Sequence, residues 1–296
     1  MNLNINSHAD DIYLQKVNKY LCTTKIRHPM TVEQTKAWLK QFSPGPEKTL
    51  ALLILRYLIY RTISQLDSSF KQALKAAATS FIPPRFVRED IDWRDVLNGK
   101  VAGLDFYYGP PKQEFSRPGK SGEIVSRQLK FCDLSSKFKL EYPDQFTALK
   151  PNERYLLIDD GSFTGEQLIG FIQTSGQFLL QGNQSSIVVG LAHESAIKAL
   201  ADAYPTIPLF CGEKITHQGC FEVASKNWIE DGLWTYTGIA PLDQYMEIVD
   251  KAKFADKLPL GYGNWGCMVA YEHGVPDNSL QLLWDRSARW NPLFVR

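Results

Sequence analysis

Residues 155–168 read YLLIDDGSFTGEQL, an apolar run that leads into two adjacent acids, a short turn and a helical pattern. The apolar residues 155–158 predict a strand that is buried on both faces, as strands of a parallel sheet are. We expect this strand to stop at Asp159 and Asp160, which would place both acids at a solvent-facing strand end. From Leu168 onward, apolar residues recur at helical spacing. The segment therefore predicts a strand, a turn and a helix.

This arrangement is suited to binding a phosphate. A helix that begins just after a parallel strand points free backbone N–H groups at the carboxyl edge of the sheet, where anions bind. The two acids would then lie beside the chemical group that is attached to that phosphate. The same letters also have a structural explanation, because Asp residues in turns accept hydrogen bonds from nearby N–H groups and cap helices. The position between a buried strand and a helix favours the phosphate site.

The segment resembles the phosphoribosyl-pyrophosphate loop of type I phosphoribosyltransferases, in which apolar residues lead into two acids, a few loop residues and Thr-Gly. The resemblance implies that Asp159 and Asp160 are catalytic residues that hold the ribose hydroxyls. It also implies that the 5′-phosphate is bound by Gly161, Ser162, Phe163, Thr164 and Gly165. Phe163 and Gln167 stand where threonine is common in that family, and each departure removes a hydroxyl that can bind phosphate.

A second glycine-rich loop, RPGKSG at residues 117–122, lies between a predicted strand and a predicted helix. Free N–H groups beside a cation suit an anion, so Lys120, Ser121 and Gly122 are candidates for binding the pyrophosphate. The loop lacks the leading glycine of a P-loop, so nucleotide triphosphatase activity does not follow. An ordinary surface loop explains the same composition equally well.

Composition argues against several classes of partner. The net charge of +1 comes from 33 basic and 32 acidic residues, which gives no electrostatic case for nucleic acid or a membrane. The N-terminus lacks a secretory signal and the five cysteines lack C-x-x-C spacing, so we expect a cytoplasmic protein with reduced thiols. His217 between two cysteines matches no common zinc spacing, and we expect no structural metal. His193, directly after a second buried strand, is a candidate for either a ligand contact or a helix cap.

The pattern of the chain changes near residue 95. Residues 1–95 predict a helical N-terminal region, in which residues 50–66 form one long helix. Residues 96–296 alternate apolar runs with helical patterns, which predicts an α/β fold with a parallel sheet and flanking helices. The apolar runs at 267–272 and 279–284 predict a final hairpin or two antiparallel strands.

The order of the motifs resembles that of a narrower family, the phosphoribosyltransferase-like effectors of bacterial conflict systems, which are encoded beside retrons and related anti-phage cassettes. The motifs that carry this resemblance are Trp38-Leu39, GKSG at 119–122, LIDD at 157–160, Glu272-His273 through Pro276 to Asn278, and Trp290 to Arg296. Val295 departs from them, because proline is usual at that position. The resemblance implies a phosphoribosyltransferase-like domain over residues 96–296, preceded by the helical region.

The resemblance also implies a function. It implies an effector that binds phosphoribosyl pyrophosphate or a related nucleotide with Mg²⁺, transfers or hydrolyses at ribose C1′, and has protein partners from the same cassette. Phe163 and Gln167 favour an alternative, a module that senses such a ligand without turnover. A third hypothesis is an interaction protein whose helical N-terminal region docks the cassette partners.

Overall fold

The computed structural model describes residues 7–82, 91–100, 103–111, 121–129, 134 and 137–295. The chain forms two compact units, Met1–Ile63 with Thr216–Arg296 and Ser64–Ile215. The first unit is built from both ends of the chain. The predicted boundary near residue 95 follows a change in composition, whereas these units follow contacts between distant segments.

Helices and strands are numbered in chain order. The helices are α1 (Ser7–Thr23), α2 (Val32–Leu39), α3 (Pro46–Tyr57), α4 (Ile63–Ser80), α5 (Trp93–Leu97), α6 (Ser121–Gln128), α7 (Glu166–Thr174), α8 (Glu194–Ala203), α9 (Phe221–Glu230), α10 (Pro241–Ala252) and α11 (Gln281–Trp284). The strands are β1 (Ile59–Arg61), β2 (Asp105–Gly109), β3 (Lys139–Leu140), β4 (Glu153–Ser162), β5 (Ser185–His193), β6 (Leu209–Ile215) and β7 (Val269–Tyr271).

The second unit contains a five-stranded parallel sheet in the order β3-β2-β4-β5-β6. Its central strand β4 is buried on both faces, as predicted from its apolar run. Leu157 packs into one core with Ile187 and Leu168. Ile158 packs into another core, with Val188 among its members. The sheet with helices flanking it confirms the predicted α/β fold.

The helical N-terminal region is confirmed, but the long helix predicted over residues 50–66 is wrong. Helix α3 ends at Tyr57, and Ile59–Arg61 form a strand before α4 begins. This strand pairs in parallel with β7, with Ile59 opposite Val269. The β-branched and aromatic residues of β1 suit a strand, and a partner two hundred residues away decides their conformation.

The predicted terminal hairpin is also wrong. The pairing partner of β7 within the described residues is β1, and the two strands run parallel. Residues 281–284 form the short helix α11, and all but Trp284 are buried. A short apolar run is compatible with either a buried strand or a buried helix, and here the surrounding core selects the helix.

The two ends of the chain meet in the core of the first unit. The rings of Trp38 and Trp290 lie edge to face, with 6.3 Å between ring centroids, and both contact Phe42. The indole N–H groups of both tryptophans donate to the carbonyl oxygen of Leu282. The Trp38-Leu39 motif and the terminal motif are therefore parts of one packing arrangement. None of the described helices is long and apolar enough to cross a membrane.

An ion pair in the first unit makes its stability depend on pH. Lys251 donates to the Glu47 carboxylate at 2.7 Å, and the Ser43 N–H donates to it at 2.8 Å. Burial alone raises the pKa of Glu47, but these hydrogen bonds outweigh it, so the pKa lies below its ordinary value. A carboxyl group of this kind contributes stability above its unfolded pKa and loses it as pH falls through the folded pKa.

Glu47→Gln removes this dependence. Between about pH 6 and about pH 3, we expect the wild type to lose up to about 1 kcal/mol more unfolding free energy than the variant, because the Lys251 side is exposed. Urea unfolding at each pH measures the difference. Identical pH profiles for the two proteins would show that the pair contributes nothing.

Candidate functional site

The order of the strands creates a crevice between β2 and β4. From β2, the next strand β3 is added on one side, whereas β4, β5 and β6 are added on the other. In open parallel sheets, ligands bind outside the carboxyl ends of the strands where the order reverses in this way. Strand β2 ends at Gly109, opposite Leu157, while β4 continues to Ser162. Asp159 and Asp160 therefore lie just beyond the end of β2, at the reversal point.

The start of α6 lies against the same place. A Cβ atom built on Gly122 would be 3.4 Å from Asp159 Oδ1 and 2.7 Å from the Cβ atom of Pro110. The structure therefore brings Gly122, at the end of the second glycine-rich loop, next to Asp159. In the sequence these two residues belong to separate motifs. Ser121 is the first residue of α6. Lys120 lies outside the described residues.

The acids are not at a solvent-facing strand end, so that expectation is wrong. Asp159 is 4% exposed and Asp160 is 8% exposed. The reason is that β4 does not stop at the acids but pairs with β5 as far as Ser162, which lies opposite Ala192. Asp159 Oδ1 accepts a hydrogen bond from the backbone N–H of Asp160 at 2.9 Å.

The two acids have different surroundings. Successive residues of a strand project to opposite faces of the sheet, as the packing of Leu157 and Ile158 into different cores shows. Asp159 and Asp160 therefore leave β4 on opposite faces. Of the two carboxylates, that of Asp159 lies beside Gly122. This alternation favours unequal roles for the two acids.

The turn after β4 is fixed by a glycine. Gly165 has a φ of +82°, in the left-handed region that favours glycine, and it precedes the first residue of α7. A Cβ atom on Gly165 would also lie 3.4 Å from the backbone of Ala196 in α8. Thr164 Oγ1 accepts from the Glu166 N–H at 3.3 Å, a local hydrogen bond across the turn. The residues that form this turn are thus the ones predicted to bind phosphate.

The remaining residues of the turn differ in exposure. Ser162 and Phe163 are buried, Gly161 is partly buried and Gln167 is exposed. Phe163 therefore puts a buried apolar side chain at a position where threonine is common. That side chain offers no hydroxyl to a phosphate. The role of residues 161–165 in binding phosphate stays a prediction.

His193 and His217 both contact other parts of the protein. His193 is fully buried at the end of β5, and its Nδ1 accepts from the Ser195 N–H at 3.2 Å, so it caps α8. The proton of the neutral ring is then on Nε2. The His217 ring packs against Trp265, with 5.2 Å between ring centroids. Among the described residues, no three His, Cys, Asp or Glu side chains are grouped to hold a metal ion.

Sequence reasoning missed the importance of the strand end at Gly109-Pro110. A Cβ atom on Gly109 would lie 2.6 Å from the carbonyl oxygen of Glu141 and would also collide with the Tyr155 hydroxyl, which donates to that oxygen. Glycine is therefore needed for β2 to end beside β4. The signal was present as Gly-Pro-Pro directly after a predicted strand.

Comparison with known proteins identifies a family but no curated relative. The model of the phosphoribosyltransferase-like family PRTase-CE matches residues 35–296, which include the sheet, both glycine-rich loops and the terminal tryptophan motif. With most of its length matched, from α2 to the last residue, the chain belongs to the PRTase-CE family.

Proposed function

We propose that the second unit binds phosphoribosyl pyrophosphate, or a nucleotide related to it, at the carboxyl edge of its sheet. The proposal rests on one observation above all, the meeting of the Asp159 carboxylate with the start of α6 where the strand order reverses. An edge of this kind is where open parallel sheets bind ligands. The family membership supports the same ligand class.

The ligand would be divided among three elements. The 5′-phosphate would accept hydrogen bonds from the N–H groups of the turn from Gly161 to Gly165 and the first turn of α7, at the positive end of the helix dipole. The ribose would lie by the acids. The pyrophosphate would lie toward the start of α6, where Ser121 and Gly122 are placed and Lys120 directly precedes them.

The acids suit the magnesium ion that such a ligand carries. Mg²⁺ prefers oxygen ligands, keeps several waters and is often held by one or two carboxylates together with substrate phosphates. Asp159 and Asp160 offer such carboxylates, and a cage of three protein ligands is not found in the described residues. The ion would then arrive with the ligand rather than reside in the protein. When bound, Mg²⁺ would neutralise charge on the pyrophosphate.

Transfer or hydrolysis at C1′ is the chemistry that this site would support. Breaking the bond between C1′ and the pyrophosphate oxygen gives the ribose ring positive charge, which a neighbouring carboxylate stabilises. Asp159 is the better placed of the two acids, because it is the one beside α6. As that bond breaks, pyrophosphate would leave with its electron pair, an acceptor or water would bond to C1′, and the attacking group would lose its proton to solvent or to the pyrophosphate.

A non-catalytic sensor is the second candidate. The buried Phe163 and the exposed Gln167 remove two hydroxyls from the phosphate site. In addition, His193 already accepts a hydrogen bond as a helix cap, so its Nδ1 does not serve as a general base. The lost hydroxyls reduce the contacts to a phosphate, whereas the engaged His193 argues against turnover and does not affect ligand binding.

We further propose that the chain acts in the cytoplasm as an effector of an anti-phage cassette, with protein partners from that cassette. The order of its motifs supports this role. The test is phage protection by an intact cassette that carries Asp159→Asn and Asp160→Asn together. Undiminished protection would remove both ligand-based functions and leave an interaction role.

Binding of the ligand can be measured directly. We expect titration calorimetry with phosphoribosyl pyrophosphate and Mg²⁺ to show binding by the wild type, and Asp159→Asn to weaken it by about tenfold or more. Asp160→Asn should weaken it less, because its side chain is on the other face of the sheet. Asparagine keeps the oxygen that accepts from the Asp160 N–H, so the loss reports the charge.

The matched control is Asp144→Asn, which removes a carboxylate from an exposed position of the same unit. It should bind as the wild type does. Thermal unfolding of every variant is measured first, since both site acids are buried. Absence of binding by the folded wild type would remove the proposal, and binding without pyrophosphate release across candidate acceptors would favour the sensor.

A further inference from the structure

The first unit carries a groove between α1 and α2 that is unrelated to the sheet edge. The groove has a volume of about 280 Å³. Its apolar walls come from Ile12 on α1 and from Val32 and Leu39 on α2, and three lysines surround them, which are Lys16, Lys19 and Lys36. No acidic side chain is among the described residues that line it.

Among the residues that the structure describes, no acidic side chain forms an ion pair with these three lysines, and none of the three makes a side-chain hydrogen bond. The nearby acid of α1, Asp11, instead accepts a hydrogen bond from Thr49 at 2.8 Å. Three like charges around one apolar groove repel each other, and an anionic partner relieves that repulsion.

The spacing of the lining residues points to a helical occupant. On α1 they fall at positions 12, 15, 16, 18 and 19, and on α2 at positions 32, 35, 36 and 39. Each set is one face of a helix over two turns. Two helices that present such faces side by side form a groove into which a third helix can pack its own apolar face.

The surface beside the groove has the composition of a protein interface. Tyr13 is 62% exposed and Tyr20 is 61% exposed. They are seven residues apart, so they lie on one face of α1, next to Lys16. Exposed tyrosines are enriched at protein interfaces, where the ring packs and the hydroxyl stays hydrated.

We propose that the α1–α2 groove binds an acidic amphipathic helix of a partner protein. The apolar face of that helix packs on Ile12, Val32 and Leu39, and its carboxylates pair with the three lysines. This interaction is independent of the ligand site in the second unit.

The probe is a fluorescent peptide of about 18 residues with leucines at helical spacing and glutamates beside them. We expect anisotropy titrations to show binding that weakens as the salt concentration rises from about 0.05 M to about 0.3 M. The double variant Lys16→Glu/Lys36→Glu should bind it at least about tenfold more weakly and should gain affinity for a peptide with lysines in place of the glutamates.

Two controls distinguish binding in the groove from non-specific attraction between charges. Lys25→Glu/Lys257→Glu makes the same charge change at other exposed positions of the unit and should bind as the wild type does. A scrambled peptide of equal charge should bind at least about fivefold more weakly, because its leucines no longer share one face.

Three results would overturn the proposal. Equal binding of the ordered and scrambled peptides would show attraction by charge alone. Displacement of the peptide by inorganic phosphate, beyond the effect of matched salt, would identify a small-anion site. The wild type could instead sediment with phosphatidylserine vesicles but bind the ordered and scrambled peptides equally. If Lys16→Glu/Lys36→Glu abolishes that sedimentation, the surface binds a membrane.

Discussion

Gly212→Ala is expected to lower the free energy of unfolding of the second unit by about 3 kcal/mol. A Cβ atom on Gly212 would lie 2.6 Å from the Cα atom of Ser69 and closer still to its carbonyl carbon and oxygen. All three atoms belong to the backbone of α4, so no side-chain rotation relieves the collision. Either α4 moves away from the sheet or β6 is distorted, and both changes loosen the packed core.

The collision is severe because α4 lies directly on two glycines. Val189 pairs with Cys211 and Leu191 with Glu213, so Gly190 of β5 is beside Gly212 of β6. A Cβ atom on Gly190 would collide with the Leu66 side chain of α4 and would lie 2.9 Å from the carbonyl oxygen of Asp160. The pair thus forms a flat place on the sheet that the helix fills.

Gly170→Ala is the matched control for this prediction. A Cβ atom at Gly170, in α7 of the same unit, would have no described heavy atom within 4 Å apart from its chain neighbours and the backbone of its own helix. Alanine favours a helix over glycine, so this change should be neutral or stabilise the unit by up to about 1 kcal/mol. Urea unfolding followed by circular dichroism compares the midpoints. Equal midpoints for the two variants would contradict the predicted contact between α4 and β6.

The central strand and its helix were predictable from the sequence because they depend on local pattern. The run of four apolar residues before Asp159 is typical of a strand in a parallel sheet, and α7 has apolar residues at helical spacing. The strand at Ile59–Arg61 was not predictable in this way. Its apolar residues continue the helical pattern of α3, and only pairing with β7 makes the chain extended there.

The candidate site was predictable as a set of residue types but not as a geometry. The sequence shows that Asp159 and Asp160 follow a strand and that Gly122 ends a loop. It does not show that the strand continues past the acids, because that depends on the length of β5 beside it. Pairing with β5 explains both the burial of the acids and their separation onto opposite faces of the sheet. In the sequence alone, the two acids look equivalent.

Arg27→Met is expected to lower the free energy of unfolding of the first unit by about 3 kcal/mol. Arg27 is 6% exposed, and its guanidinium donates to the carbonyl oxygens of Leu55 at 2.6 Å and Leu58 at 3.0 Å. Both oxygens are at the carboxyl end of α3, where carbonyl groups have no partner within the helix and a cation is favoured by the dipole. Methionine fills similar space but leaves these oxygens buried without a donor.

The charge and the shape of Arg27 contribute separately, and lysine distinguishes them. Burial lowers the pKa of Arg27 to about 10, so the group is still protonated at neutral pH. Arg27→Lys keeps a cation near the helix end but has one ammonium in place of a fork that reaches two oxygens. Its loss should therefore fall between those of wild type and Arg27→Met, while Arg289→Met, at an exposed position of the same unit, should cost less than about 0.5 kcal/mol. If lysine is as damaging as methionine, the two-oxygen geometry is decisive. If lysine is harmless, the charge alone stabilises the end of α3, and the paired hydrogen bonds add nothing.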